Sequence, residues 1–175
     1  MFGLFKKKEN KKVEIYTLIN SLSNRLEDIC RTIRQTTAIP SIQSSDLFLK
    51  ECAALSFFIV CTGIARAPII LEKKEYLIEE IARAWATNID NGILIESTTR
   101  LLSDRLHEYA YLGNSVEGKD YSAKIILKFL DFIGQKKPEN GGIISVLHST
   151  LLPLIETTEK FIIDVDRSGC VQWPC

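Results

Sequence analysis

The sequence predicts an all-α protein, a single-domain bundle of about six helices around one central apolar helix. Three observations carry this reading. Apolar residues recur at helical spacing along nearly the whole chain. No alternation of apolar and polar residues longer than four positions reads as a strand. One stretch, ECAALSFFIVCTGIARAPIIL at Glu51–Leu71, is apolar on every side, as suits a helix enclosed by others. Nor does any motif repeat at a period of 20–50 residues, so stacked helical repeats are disfavoured.

The elements follow in order. In Val13–Thr37, the series Ile15, Leu18, Ile19, Leu22, Leu26, Ile29, Cys30 and Ile33 marks one face of an amphipathic helix. This helix must end before Pro40, because the residue preceding a proline is pushed out of helical geometry. Ser44, Ser45 or Asp46 can cap a second helix over 47–67, which Pro68 stops. A third helix is expected over Leu71–Asn88, with Leu77, Ile78, Ile81, Trp85 and Ile89 inward, before the turn signal NIDNG. A fourth runs to about Leu112, with Leu94, Ile95, Leu101, Leu102, Leu106 and Tyr109 inward, and Gly113 and Asn114 suit its C-cap. A fifth lies near Asp120–Ile133 and ends at Gly134. The sixth begins after KKPENGG and reaches about Val165, with a kink or a break expected at Pro153.

Length separates a bilayer span from a buried helix. A spanning helix needs about 20 mainly apolar residues. The uncharged run Cys52–Ala65 has only 14, bounded by Lys50, Glu51 and Arg66. The segment therefore reads as the centre of the core, with Phe57, Phe58, Cys61 and Ile64 buried.

At 175 residues, one domain is expected, large enough to hide roughly 70% of its unfolded surface. Residues 1–12 read as a basic tail, 13–167 as the bundle and 168–175 as a C-terminal tail. The net charge is zero, but the first twelve residues hold five lysines and one glutamate, a balance of +4. The body is therefore mildly acidic and lacks the basic stripe that nucleic acid requires, so nucleic acid is not an expected partner. No secretory signal is expected in MFGLFKKKENKK. The five cysteines are odd in number, and Cys30, Cys52 and Cys61 lie in apolar helical runs. They read as reduced thiols of a cytoplasmic protein.

Site motifs are few. A di-iron bundle needs Glu-x-x-His pairs on two helices. The chain has two histidines, His107 with Asp104 three residues before it and His148 with Ser145 in that place. CVQWPC, with Cys170 and Cys175, has the wrong spacing for common zinc sites and no second pair to complete one. Cys52 and Cys61 sit where thiols are inert, and no phosphate-cradling or nucleophile-elbow motif occurs. No catalytic residue, metal or cofactor is therefore expected.

Two features retain functional interest. EYAYLGNSVEGKDY gathers Tyr109, Tyr111 and Tyr121 at one helix junction. Because Tyr109 and Tyr111 are two apart on a helix, they cannot share a face. With Tyr109 in the core, Tyr111 should point outward. Tyr111, Tyr121 and Glu108 are the candidate partner-binding residues. The second feature is MFGLFKKK, in which Phe2, Phe5, Lys6, Lys7 and Lys8 could meet a membrane surface. The expected function is that of a non-catalytic cytosolic protein-binding module of regulatory, adaptor or immunity type. The alternatives are a peripheral membrane protein docking through its N-terminus, and a helical enzyme or ligand-binding protein. The expected partner is another protein, with a second copy of the chain as an alternative.

Overall fold

The structure is a computed structural model and describes residues 13–37, 45–90, 95–114, 121–135, 141–169 and 171–173. Six helices account for most of them: α1 (Ile15–Thr36), α2 (Asp46–Arg66), α3 (Leu71–Asp90), α4 (Ile95–Asn114), α5 (Tyr121–Phe132) and α6 (Gly141–Ser168). The expected all-α bundle with a central apolar helix is what forms. The N-terminal residues 1–12, with Phe2, Phe5, Lys6, Lys7 and Lys8, lie outside the described residues, as do Cys170 and Cys175.

Helix α2 is central because its sequence offers no polar face. Ser45 caps it, its Oγ accepting from the Phe48 N–H at 3.1 Å. It ends at Arg66, and the Ala67 N–H bonds back to the Gly63 and Ile64 carbonyls. Phe57, Phe58, Cys61 and Ile64 are all buried. By length and composition α2 could cross a membrane, but 78% of its most apolar window is covered by the other helices. The apolar faces of α1 and α3 pack onto it through Leu22, Leu26, Ile29, Ile33, Leu77 and Ile81. The buried Trp85 donates its indole N–H to the Ala53 carbonyl at 3.2 Å, which satisfies its polar atom.

Helix α6 lies close against α2. A Cβ at Gly63 would stand 2.7 Å from Thr158 Cβ, so only glycine permits this approach. Arg25 ties α1 to the same place, with Nη2 donating to the Thr157 carbonyl at 3.0 Å and Nε to Thr158 Oγ1 at 3.3 Å.

Three details differ from expectation. Helix α6 is continuous through Pro153 rather than broken in two. Pro153 and Ser149 are both exposed, so the carbonyl that proline leaves unpaired faces water. Helix α4 continues past Leu112 through Gly113 to Asn114, whereas Gly134, at φ +78°, does close α5 in a left-handed turn. Finally, Gly169, at φ +61°, turns the chain off α6. The chain then forms a two-residue strand, β2 (Val171–Gln172), parallel to β1 (Val13–Glu14). This ladder has no signal in the sequence.

Candidate functional site on the fourth helix

Helix α4 carries three kinds of side chain, set by their angle around its axis. Leu102 and Tyr109 face the core, at 1% and 0% exposure. Tyr109 packs between Phe58 of α2, with ring centroids 5.1 Å apart, and Phe132 of α5, at 6.0 Å. Its hydroxyl is buried without a hydrogen-bond partner among the described residues. Burial, reinforced by the nearby Glu51 charge, pushes its pKa well up.

Arg105 occupies the next sector and makes a largely buried polar contact. Its Nε donates to both Glu51 oxygens, at 3.0 and 2.9 Å, and its Nη2 to Glu51 Oε1 at 2.6 Å. Glu51 is completely buried in α2. The guanidinium lies over the Phe132 ring, 3.6 Å from its centroid. The hydrogen bond to Glu51 holds the Arg105 pKa above its usual value, against the effect of burial. Glu108 joins this group through Arg105 Nη1 at 3.4 Å and Lys128 Nζ at 3.8 Å. Lys128 also stands over Phe132, at 4.6 Å. A buried carboxylate is tolerable only with such pairing.

The third sector faces solvent. Arg100, Asp104, His107 and Tyr111 follow one another at intervals of four, three and four, and all are exposed. Tyr111 is 74% exposed.

Beside this stripe, a cleft of about 680 Å³ opens between α2, α3, α4 and the start of α5. Phe58, Cys61, Ile78 and Leu106 form its apolar lining, and Thr62, Arg66, His107 and Tyr121 supply the polar groups. Tyr121 is half-buried, and its side chain bonds to Thr62. Burial raises its pKa, while the Thr62 bond and the Arg66 charge oppose the rise.

The structure thus places the three candidate residues differently. Tyr111 points to solvent, as its spacing from Tyr109 requires. Glu108 lies on the flank of the same helix, already engaged with Arg105 and Lys128. Tyr121 belongs to the cleft. The Glu51–Arg105 pair was not foreseen, although an acid opening an otherwise apolar buried run was a usable signal. Burial pushes the pKa of the Cys52 and Cys61 thiols strongly upward, and that of Cys30 to a lesser degree. Among the described residues, no group of three or more His, Cys, Asp and Glu side chains could hold a metal ion. No family model, curated protein or solved structure matches the chain.

Proposed function

We propose that the protein is a non-catalytic, cytosolic protein-binding module that meets its partner along the outer stripe of α4. The observation that carries this reading is the exposure of Tyr111 on a helix clamped from beneath. Two residues away, Tyr109 is locked between two rings, and two turns away Arg105 is bound to Glu51 by charge-assisted hydrogen bonds. A large aromatic held rigidly in water gives contact area at little ordering cost, and Tyr and Arg are the residues that dominate binding energy at protein interfaces. Arg100, Asp104 and His107 supply a polar surround of both charge signs. The free, buried thiols Cys52 and Cys61 suit a reducing compartment.

The test is photo-crosslinking in the native cell. A crosslinking residue at position 111 should capture a discrete partner, whereas the same group at the exposed Glu156 on α6 should not. Tyr111→Ala should leave folding stability within about 0.5 kcal/mol, yet weaken binding of that partner by about 1 kcal/mol or more. Equal capture from both positions, or unchanged affinity of the alanine variant, would overturn the reading.

A further inference from the structure

The cleft between α2, α3, α4 and the start of α5 has a chemistry that the α4 stripe does not use. It reaches the core: Phe58 and Cys61 line it, and each is only 3% exposed. Ile78 of α3 and Leu106 of α4 extend the apolar wall. The rings of Phe58 and Tyr121 stand with centroids 6.4 Å apart and planes tilted by 55°. A flat aromatic body packs well against rings set at such an angle, edge to face. The volume of about 680 Å³ lies within the range of small-molecule sites, which pair an apolar lining with a few polar groups.

Those polar groups differ in what they have left to give. Thr62 donates its hydroxyl to the Phe58 carbonyl at 2.8 Å, and Tyr121 bonds to Thr62. Arg66 and His107 are exposed, and no ion pair among the described residues uses either. Nor does the C-terminus of α2 occupy Arg66. The Ala65 carbonyl takes Lys74 Nζ at 2.7 Å, and the Gly63 and Ile64 carbonyls take the Ala67 N–H. Arg66 stands near enough for its charge to act on the Tyr121 hydroxyl, which places the guanidinium at the cleft. Among the described residues, no Asp or Glu lines this cleft. Arg105, on the same α4, is by contrast spent on the buried Glu51.

We infer that this cleft is a binding site for a small aromatic carboxylate, its ring on Phe58, Ile78 and Leu106 and its carboxylate between Arg66 and His107. A guanidinium presents two parallel N–H donors that match the two carboxylate oxygens. His107 adds a donor from a different helix. An aromatic amine would meet Arg66 with like charge and find no acid. A neutral aromatic would gain the apolar contacts and leave Arg66 unpaired. The inference does not rest on the α4 reading: His107 alone is common to the two surfaces.

The test is calorimetric titration of the full chain with biphenylacetate and with its neutral counterpart, biphenylacetamide. Biphenylacetate should bind saturably, with a dissociation constant of about 1 mM or tighter. It should bind about fivefold or more tightly than the amide. Arg66→Gln should erase that difference by weakening the carboxylate alone. Ala65→Trp, which puts a ring into the cleft from an exposed position, should abolish binding of both. Tyr111→Ala should change neither affinity, so this site and the α4 partner surface stand or fall separately. Far-UV circular dichroism and the unfolding midpoint establish that each variant is folded. Absence of saturable binding by biphenylacetate, or equal binding of the amide, would overturn the inference. So would undiminished binding of the carboxylate by the Arg66→Gln or the Ala65→Trp variant, which would put the ligand elsewhere on the bundle.

Discussion

Removal of Arg105 is the sharpest test of how the bundle is held together. Glu51 is completely buried, and Arg105 meets both of its oxygens at 2.6–3.0 Å. Arg105→Ala leaves the carboxylate in an apolar helix without its partner, because Lys128 is engaged with Glu108. Removing one member of a buried pair costs about 3–5 kcal/mol. The lost guanidinium contact with Phe132 adds about 0.5–2 kcal/mol. Against a total stability of about 5–15 kcal/mol, this is a large fraction. At roughly 2–4 °C per kcal/mol for a chain of this size, the pair alone should lower the melting temperature by about 6–20 °C. Urea denaturation followed by circular dichroism measures the change directly. The companion variant replaces Glu51 and Arg105 together with methionine, which removes both charges and keeps apolar bulk. It should be less destabilised than Arg105→Ala, because no uncompensated charge remains. A loss below about 1 kcal/mol for Arg105→Ala, or a double variant as unstable as the sum of its single changes, would refute the reasoning.

Phe58→Ala should cost about 3–5 kcal/mol, since the ring is 3% exposed and meets both Tyr109 and Tyr121; an unchanged unfolding midpoint would contradict its central position. Gly63→Ala should cost about 1–3 kcal/mol by forcing α2 away from Thr158, measured by the same denaturation. Cys52 and Cys61 should resist a thiol reagent at neutral pH and react on unfolding. Their pKa values are raised in the folded state. The folded form therefore keeps protons that the unfolded chain loses above about pH 8.5, and stability should fall as pH rises through that region. Cys61→Ala should flatten the decline by up to about 1.4 kcal/mol per pH unit, and a stability flat from neutral to alkaline pH would count against buried thiols.

The fold was largely legible because each helix writes its buried face into the chain. Six of the eight positions on the apolar series of α1 are buried, and Ile15 and Cys30 are partly covered. Ser45, Pro68 and Gly134 mark their boundaries by local chemistry that tertiary packing has no reason to override. Pro153 left both a kink and a break open, because sequence shows the lost hydrogen bond but not which side of the helix it faces, and the helix is not broken. On the exposed side, water replaces the missing donor. The β1–β2 ladder was invisible because two residues carry no periodicity, and their pairing joins positions 158 apart. The candidate site was half legible. Spacing alone separates Tyr109 from Tyr111. The Glu51–Arg105 pair joins residues 54 apart; spacing places Arg105 on the inward side of α4, three residues after Leu102 and four before Tyr109, but does not name the acid it meets.

That pair bears on the proposed site through the orientation of α4. Apolar residues such as Leu102 and Leu106 could satisfy the core after a modest rotation or slide of the helix, because hydrophobic contact is not directional. The forked contact between Arg105 and Glu51 is directional and tolerates neither motion. Since Tyr111 follows Arg105 by six residues on the same rigid helix, the angle at which it meets solvent is fixed by the same contact. The double methionine variant of Glu51 and Arg105 should therefore keep most of its stability while losing a single setting of α4. Amide exchange along Leu101–Leu112 should quicken relative to α2, and crosslinking through position 111 should weaken or spread over several products. Unchanged exchange in α4, with undiminished crosslinking at 111, would show that Leu102 and Tyr109 alone set the helix and that the buried pair has no part in presenting Tyr111.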